Sequence, residues 1–446
     1  MAGSQPREHF TSRAGFVLAA VGSAVGLGNM WRFSYLAAEN GGAAFVLLYL
    51  AMTTVIALPI LLAEFAIGRG AAKSPVAALD HFGGRAWRPL GALFVASGFL
   101  ILSYYSVISG WTVRYLLEGV LWGLPDDAGA YFATVTTGVA PMLWHLAFMG
   151  LTVFVVLGGV QKGIQRTSLV LMPTLFVLVL GLAAYAATLP GAEEGHRTYL
   201  QPDLRELFSL RVLGDAAGQA FFSLSLGMGA MLTYASYLGG DENLPVESAV
   251  VALADFGVAF VAGLVVFPLV FALGLSEQVS GSTVGALFIT LPGAFATLGD
   301  AGRVFGALFF VALAVGALTS AISLLEVVVA SAIDRFGWSR RRAATTLGSA
   351  IAVLGLPSAA DLDVLGLVDQ IAGNVFLIAG GLGLALFVGW RMPDPVAEVR
   401  RGAPHIPWLG VWRFLLRIPV PLALLAILLG ATLPGTWAAL RDFVAG

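Results

Sequence analysis

The chain has 446 residues, of which 58% are hydrophobic and 11% are charged, with a formal net charge of −2. Soluble chains carry about 25% charged residues, so this composition excludes a soluble globular enzyme and a disordered protein, and the lack of a basic tract excludes a nucleic-acid binder. There is no cysteine, which excludes disulfides, thiolate metal sites and iron–sulfur clusters.

A helix that crosses a bilayer needs about 20 mostly apolar residues, and eleven apolar segments are candidates, with boundaries good to a few residues. No alternating strand pattern recurs, so the prediction is an all-α polytopic membrane protein with one transmembrane domain. The segments, numbered spans 1 to 11, cover 14–38, 43–69, 89–123, 141–159, 166–188, 215–239, 245–274, 303–335, 342–356, 364–390 and 411–433.

The distribution of Lys and Arg predicts the orientation. With the N-terminus inside, most of the 24 basic residues fall in or beside the inner segments, as the positive-inside rule requires. The odd number of spans then puts the C-terminus outside. We expect a bacterial cytoplasmic (inner) membrane protein that contacts the lipid bilayer and no nucleic acid.

Spans 1 and 6 carry helix-weakening residues at their centres. Span 1 reads Val-Gly-Ser-Ala-Val-Gly-Leu-Gly-Asn over 21–29, and span 6 reads Phe-Ser-Leu-Ser-Leu-Gly-Met-Gly-Ala over 222–230. Glycine inside a helix costs about 1 kcal/mol relative to alanine; close packing through small residues is the alternative explanation. Because each segment opens a block of five spans, the pattern indicates a transporter with interrupted helices. Unwinding frees carbonyls for a cation and N–H groups for a carboxylate.

Three blocks of sequence point to a family. They are Arg-Glu-His-Phe at 7–10, Gly-Ser-Ala-Val-Gly-Leu-Gly-Asn-Met-Trp-Arg-Phe at 22–33 and Ala-Glu-Asn-Gly-Gly at 38–42. Together they resemble the neurotransmitter:sodium symporter family, and the resemblance extends from Arg7 to about residue 433. It implies two inverted five-helix repeats (about 13–188 and 215–391), an extra helix (about 411–433) and sodium-driven amino acid uptake. Eleven spans, rather than the usual twelve, resemble the shorter bacterial members that carry hydrophobic amino acids.

The resemblance implies a first sodium site that touches the substrate carboxylate. The family's ligand in span 7 aligns with Ala254, which has no side-chain oxygen, so we expect the neighbouring Asp255 to serve instead. A carboxylate in mid-membrane costs about 2.5–3.5 kcal/mol on insertion scales; a protonated or water-facing Asp255 is the alternative. The implied ligands of sodium site one are Ala24, Asn29, Ser223 and Asp255.

A second sodium site is implied between spans 1 and 8. Oxygen-only ligation suits a hard cation, although a Thr-Ser pair in a helix often bonds its own i−4 carbonyl. The implied ligands of sodium site two are Gly22, Val25, Gly316, Thr319 and Ser320. Animal members also need chloride; here Asp255 can supply the negative charge, so two sodium ions and no chloride requirement are expected.

The implied substrate pocket contains no charged side chain, so a charged substrate side chain would stay unpaired. Met228 stands where a leucine-transporting member carries Phe, and methionine is unbranched and adaptable. We therefore expect bulky hydrophobic and aromatic substrates, with core filling as the alternative role of Met228. The implied pocket residues are Ala24, Gly26, Gly28, Ile101, Tyr105, Phe222, Ser223, Ser225, Met228, Ser320 and Leu324.

The resemblance also implies gates on both sides of the pocket. Arg32 pairs with Asp369 as the outer gate through water, and Arg7 pairs with Asp334 as the inner gate. These contacts must break in every cycle, so weak hydrated pairs suit them.

Three further features complete the predictions. Gly163 and Pro173 in span 5 form a Gly-x9-Pro pattern that the family uses to unwind the inner end of this span. Glu64 in span 2 matches a family acid position and is expected to brace the core, whereas Glu326 in span 8 matches none and receives no role.

Three other functions were weighed against transport: an enzyme, a channel and a sensor. A channel is possible, but paired inner and outer gates around one site fit alternating access better. No Ser/His/Asp group, HExxH motif or haem ligand pair is present, so the chain is not expected to be an enzyme. A non-transporting amino-acid sensor on the same scaffold remains the alternative to a symporter.

Overall fold

The computed structural model describes residues 8–123, 127–202, 209–274 and 286–445, which contain helices, turns and loops but no strand. Within this part of the chain, nine continuous helices are long and apolar enough to cross a membrane. They are spans 2–5 and 7–11 and cover Ala43–Ala71, Arg85–Leu121, Ala140–Leu157, Gly159–Ala186, Leu244–Ala272, Gly299–Phe336, Arg340–Ala360, Leu362–Arg391 and Leu409–Val444. The prediction of an all-α polytopic membrane protein is confirmed.

The two remaining spans are broken. Span 1 consists of the helices Arg13–Ala24 and Gly28–Glu39, which are bent by 61° at the break between them. Span 6 consists of Leu210–Ser223 and Ala230–Ala235, and neither half is long enough to cross a bilayer alone. Within the described residues, ten spans are long and apolar enough to cross when the two helices of span 1 count as one. The predicted count of eleven further requires that the two short helices of span 6 count as one span.

Local sequence signals set several helix starts. Ser12 caps span 1 by accepting a hydrogen bond from the Gly15 amide at 3.1 Å. Ser339 does the same at the start of span 9, because a short side-chain oxygen satisfies an amide that has no partner within the helix. Short helices that do not span connect the long ones and cover Pro75–Gly83, Ala128–Thr136, Ala192–Leu200, Leu291–Thr297 and Pro395–Arg400.

Burial separates inner spans from outer ones. The apolar window of span 8 is 78% buried, whereas those of spans 5 and 11 are each 28% buried. Span 8 packs along span 3, and the first half of span 1 packs against spans 5 and 8. Spans 1, 3, 6 and 8 therefore enclose the centre of the protein, while exposed side chains such as Val177 on span 5 face outward.

Candidate substrate and ion site

The break in span 1, between residues 25 and 27, leaves backbone amides that have no hydrogen-bond partner within the helix. Val25 has an extended backbone, and the next two amides find partners outside the helix. The Gly26 amide donates to Asn29 Oδ1 at 3.0 Å, and the Leu27 amide donates to the Tyr105 hydroxyl at 3.3 Å. These buried donors are satisfied by side chains, which holds the unwound segment in one conformation.

The break in span 6 uses backbone conformations that favour glycine. Gly227 and Gly229 have φ of +73° and +74°, and Ser225 has φ of +52°, which is unusual for a residue with a side chain. The Ser225 hydroxyl donates to the Ser23 carbonyl at 2.7 Å. The unwound segment of span 6 is thereby joined to the end of the first half of span 1.

Glu64 holds the second half of this break. Its carboxylate accepts hydrogen bonds from the amides of Gly227 at 2.9 Å and Leu232 at 3.0 Å, and it is fully buried. The expected bracing of the core thus takes the form of a carboxylate on the unwound backbone of span 6, where charge-assisted bonds are strong.

Polar side chains surround one carboxylate where the two breaks meet span 7, and this group is called the carboxylate cluster. Asp255 is fully buried and accepts hydrogen bonds from Asn29 at 2.6 Å, Ser223 at 2.8 and 2.9 Å and Tyr49 at 3.1 Å. Its side-chain partners within the described residues are all neutral. Ala254, the aligned position, is partly buried among apolar side chains. Asp255, rather than Ala254, therefore joins Asn29 and Ser223.

The predicted residues of the second sodium site also lie together. A Cβ added at Gly22 would lie 3.1 Å from Thr319 Cβ, and one added at Gly316 would lie 3.3 Å from Gly26 Cα. The Ser320 hydroxyl lies 3.5 Å from the Gly22 carbonyl. The Thr319 hydroxyl bonds the carbonyls of its own helix at 3.1 Å, which is the alternative that the sequence left open.

A small pocket lies between the two breaks, and all eleven predicted pocket residues line it. The space they enclose is about 20 Å³, roughly what one ordered water needs. The lining residues are Ser23, Ala24, Gly26, Gly28, Ile101, Tyr105, Phe222, Ser223, Ser225, Met228, Ser320 and Leu324.

Gly26 shows how close the pocket walls approach the unwound backbone. A Cβ added at Gly26 would lie 2.6 Å from Ser320 Oγ and 2.9 Å from the Tyr105 hydroxyl oxygen. Only glycine leaves this space, so two hydroxyls can converge on the backbone of the break.

The two residues predicted to form the outer gate have other direct partners. The Arg32 guanidinium donates to Asn374 at 3.2 Å and lies 4.9 Å from the centre of the Phe222 ring. Asp369 accepts a hydrogen bond from Tyr104 at 2.6 Å. Within the described residues, Arg32 and Asp369 form no direct ion pair, and Arg32 Nη1 is buried without a hydrogen-bond partner.

Of the two residues predicted to form the inner gate, one lies within the described residues. Asp334 accepts a hydrogen bond from the Ser74 amide at 2.6 Å, whereas Arg7 lies outside the described residues. Glu326, which received no role, is fully buried and pairs with Arg340 at 2.6 Å while accepting from the Tyr237 hydroxyl at 2.5 Å. It is therefore part of an ionic contact between spans 8 and 9.

Span 5 is wound from Gly159 to Ala186 around Pro173. Its first turns, Gly159–Gln165, are π-helical, a wider winding that is common at functional sites. Gly163 packs against the end of span 4, where an added Cβ would collide with the Val155 carbonyl. Gly163 thus lies in the first, π-helical turns of this helix, and Pro173 lies within its body.

Sequence reasoning missed three contributors to this region. Tyr49 reaches Asp255 from span 2, and no pattern marks it among the other apolar residues of that span. Ser23 lines the pocket and could have been found because it lies between two predicted ligands. Arg340 could not be distinguished from the two arginines that follow it in the chain.

Comparison with known proteins adds independent findings. The sequence profile of the "Sodium:neurotransmitter symporter family" matches residues 7–135 and 132–433. An uncharacterized sodium-dependent transporter of Bacillus subtilis is 38% identical over 440 residues, covering 94% of this chain and 96% of the relative. One of Methanocaldococcus jannaschii is 35% identical over 446 residues, with 94% and 89% covered.

A solved structure is also similar. The crystal structure of MhsT in complex with L-phenylalanine superposes with a TM-score of 0.88 at 44% identity. The match covers 96% of this chain and all of that one. At this TM-score and coverage the similarity extends over nearly the whole helical arrangement of this chain.

Proposed function

Because the chain belongs to the sodium:neurotransmitter symporter family, we propose that it is a sodium-coupled symporter that imports hydrophobic and aromatic L-amino acids by alternating access. The observation that carries this proposal is the buried carboxylate of Asp255 at the meeting point of two broken helices. A buried charge held only by neutral donors calls for a cation, and a transported sodium ion supplies one.

Sodium site one is proposed at Ala24, Asn29, Ser223 and Asp255. The hydrogen bonds that join the last three side chains support it, since they bring the Ser223 hydroxyl and the Asp255 carboxylate together with the Asn29 amide, whose Nδ2 is the donor to both. One carboxylate with otherwise neutral oxygen ligands suits a monovalent hard cation, because the charges then balance. The same carboxylate supplies the negative charge that chloride gives in animal members, so transport is proposed to be independent of chloride.

Sodium site two is proposed at Gly22, Val25, Gly316, Thr319 and Ser320. Its support is the close approach of span 8 to the unwound backbone of span 1, where Ser320 Oγ is 3.3 Å from the Ser23 carbonyl. All of its ligands are neutral oxygens, so an ion there would be held more weakly than at the carboxylate cluster. This site is therefore the one from which sodium leaves first.

The amino acid is proposed to bind in the pocket between the breaks. Its carboxylate would meet the first sodium ion, the amides near Gly26 and Gly28 and the Tyr105 hydroxyl. Its ammonium would meet carbonyls at the break in span 6 and Ser320. The half-helix beginning at Gly28 presents its amides toward the carboxylate, which is where a helix dipole stabilises an anion.

The substrate side chain would lie against Ile101, Phe222, Met228 and Leu324. Met228 is 3% exposed and lines the pocket, and its flexible chain can move to admit a ring. The L-phenylalanine in the similar MhsT structure supports an aromatic substrate. Tryptophan, tyrosine, leucine and isoleucine are proposed as further substrates.

Alternating access is proposed to operate through two gates. Arg32 and Asp369 would close the outer side through water, while Asn374 and Tyr104 hold their side chains ready. Arg7 and Asp334 would close the inner side. Unwinding of span 5 between Gly163 and Pro173 would then open sodium site two to the inside.

The membrane arrangement completes the proposal. Repeat one covers about 13–188, repeat two about 215–391 and the extra helix about 411–433, with the N-terminus inside and the C-terminus outside. The bacterial relative among the comparisons supports a cytoplasmic membrane. We call the surface that carries Glu8 and the C-terminal ends of spans 2 and 8 the inner face.

The test is uptake of radiolabelled L-phenylalanine into proteoliposomes that contain the purified protein. An inward sodium gradient should drive accumulation above equilibrium, and an equal potassium gradient should not. Binding of phenylalanine without accumulation would favour the sensor. Asp255→Asn serves as the matched variant, because it removes the charge of the carboxylate and keeps the size of the side chain.

A further inference from the structure

An apolar groove runs along the membrane-facing surface of spans 3, 8 and 9, away from the substrate pocket. It has a volume of about 910 Å³. Its floor includes the buried Val328 and Ala332 of span 8, and its rim includes Leu354 of span 9, which is 42% exposed. The small side chains of Ala92 and Ala96 leave the concavity along span 3. We name this feature the span 3/8/9 groove.

The length of the groove matches one leaflet of a bilayer. Its lining on span 3 extends from Arg88 to Leu100, a rise of about 18 Å at 1.5 Å per residue. The hydrocarbon of one leaflet is about 15 Å deep, half of the roughly 30 Å core. An acyl chain that enters at the arginine end can therefore lie in the groove along its length.

The inner end of the groove is positively charged. Arg85, Arg88 and Arg335 line it, and Asp80 accepts a hydrogen bond from Arg88 at 2.8 Å. This bond lowers the pKa of Asp80, and the charges of Arg85 and Arg335 lower it further. A second carboxylate, Asp334, directly precedes Arg335. The three guanidinium groups outnumber these two carboxylates, which leaves an excess of positive charge where lipid phosphates lie.

Arg88 also has a donor available. Its Nε atom is buried and has no hydrogen-bond partner among the described residues, while its Nη2 atom is occupied by Asp80. Arg85 and Arg335 are exposed and form no ion pair with another described side chain. An anion placed between the three arginines would satisfy these donors.

We propose that the span 3/8/9 groove binds an anionic phospholipid of the inner leaflet, with its phosphate against Arg85, Arg88 and Arg335 and one acyl chain along the groove. Basic side chains at the end of a pocket between transmembrane helices favour anionic headgroups. A zwitterionic choline headgroup would bring a cation toward the arginines. A second copy of the chain would have to present acidic side chains to them.

The test is native mass spectrometry of the full chain in detergent with two lipids that share palmitoyl and oleoyl chains, phosphatidylglycerol and phosphatidylcholine. Phosphatidylglycerol should bind at least tenfold more tightly. The double variant Arg85→Gln/Arg335→Gln should lower its affinity about 30-fold, since each basic residue near a membrane contributes about fivefold. The matched control is Arg166→Gln/Arg341→Gln, which removes two exposed inner-face charges outside the groove and should change the affinity less than twofold.

A second pair of variants tests the groove itself. Ala92→Trp fills it without changing charge and should reduce phosphatidylglycerol binding at least fivefold, whereas Val177→Trp, on the exposed surface of span 5, should not. The proposal would be overturned if both lipids bound equally or if both arginine double variants lost the same affinity. Full competition by soluble glycerol phosphate would also overturn it. So would a dimer of the protein that added lipid does not dissociate. None of these measurements uses sodium or an amino acid, so their failure is distinct from a failure of the proposed transport.

Discussion

Asp255→Asn removes the charge of the carboxylate cluster while keeping the size of the side chain. The carboxylate of the wild type accepts hydrogen bonds from Asn29, Ser223 and Tyr49, with the shortest at 2.6 Å. Asparagine retains one acceptor oxygen, so the cluster keeps part of its hydrogen bonding. What it loses is the full negative charge facing a sodium ion.

The magnitude follows from Coulomb's law. A unit charge pair about 4 Å apart interacts by about 4 kcal/mol at an effective dielectric constant of 20. The amide oxygen of asparagine keeps about 1 kcal/mol of this as a dipole interaction. The remaining loss of about 3 kcal/mol corresponds to a sodium affinity that is on the order of 100-fold weaker.

Thermal unfolding of the purified protein in sodium chloride and in potassium chloride measures this loss. A ligand at 100 times its Kd stabilises the folded state by about 2.7 kcal/mol. At the same sodium concentration, a variant with 100-fold weaker binding gains about 0.4 kcal/mol. The part of the sodium-dependent rise in Tm that comes from sodium site one should therefore fall to about 15% of its wild-type size in Asp255→Asn, while the part that comes from sodium site two remains.

Tyr49→Phe is the matched control. It removes only the longest hydrogen bond to the carboxylate, at 3.1 Å, and should weaken sodium binding by less than tenfold. If Asp255→Asn keeps a sodium-dependent Tm rise equal to that of the wild type, Asp255 is not a sodium ligand. A lower Tm of Asp255→Asn in potassium chloride would follow from the hydrogen bonds that asparagine does not keep, so the difference in Tm between sodium and potassium is the readout that reports the ion.

Four further outcomes are expected. Met228→Phe should shift substrate preference toward smaller aliphatic amino acids, because a rigid ring replaces an adaptable chain at the pocket wall; unchanged competition by tryptophan in a binding assay would contradict this role. Gly163→Ala should slow inward sodium release and phenylalanine uptake, because the added methyl meets the end of span 4, whereas Gly181→Ala on the same span, where nothing lies within 4 Å of an added Cβ, should leave uptake unchanged. Glu64→Gln should lower the free energy of unfolding by about 1–3 kcal/mol, since one of two backbone amides loses its acceptor; faster hydrogen exchange over 224–232 is the diagnostic readout, and unchanged exchange would contradict the bracing role. Replacing chloride with gluconate should leave uptake unchanged, and a loss of uptake would refute the proposed role of the Asp255 charge.

The positions of the helix breaks could be predicted from sequence because the local signal is strong. Glycine and serine at the centre of a membrane span lower helix stability, and both breaks, at 25–27 and 224–229, fall within the predicted stretches. The fold class followed from the same signal together with the family resemblance. The number of continuous spans was less accurate, because a broken span divides into halves that are too short to cross a bilayer.

Contacts between distant segments could not be predicted in the same way. Tyr49 and Asp255 are 206 residues apart, and their hydrogen bond depends on how spans 2 and 7 rotate against each other. The ionic contact of Glu326 with Arg340 depends on which of three consecutive arginines points inward. The charges of Arg32 and Asp369 were expected to pair through water as the outer gate, and their direct partners are neutral side chains from other spans.

Sodium and the amino acid are proposed to bind in contact at one site. Equilibrium binding of radiolabelled L-phenylalanine tests this directly. The purified protein is titrated with sodium at constant ionic strength. The proposed geometry puts the substrate carboxylate against the first sodium ion. Binding should therefore be absent in potassium or choline and rise with sodium to saturation. Equal phenylalanine binding in potassium and in sodium would contradict it.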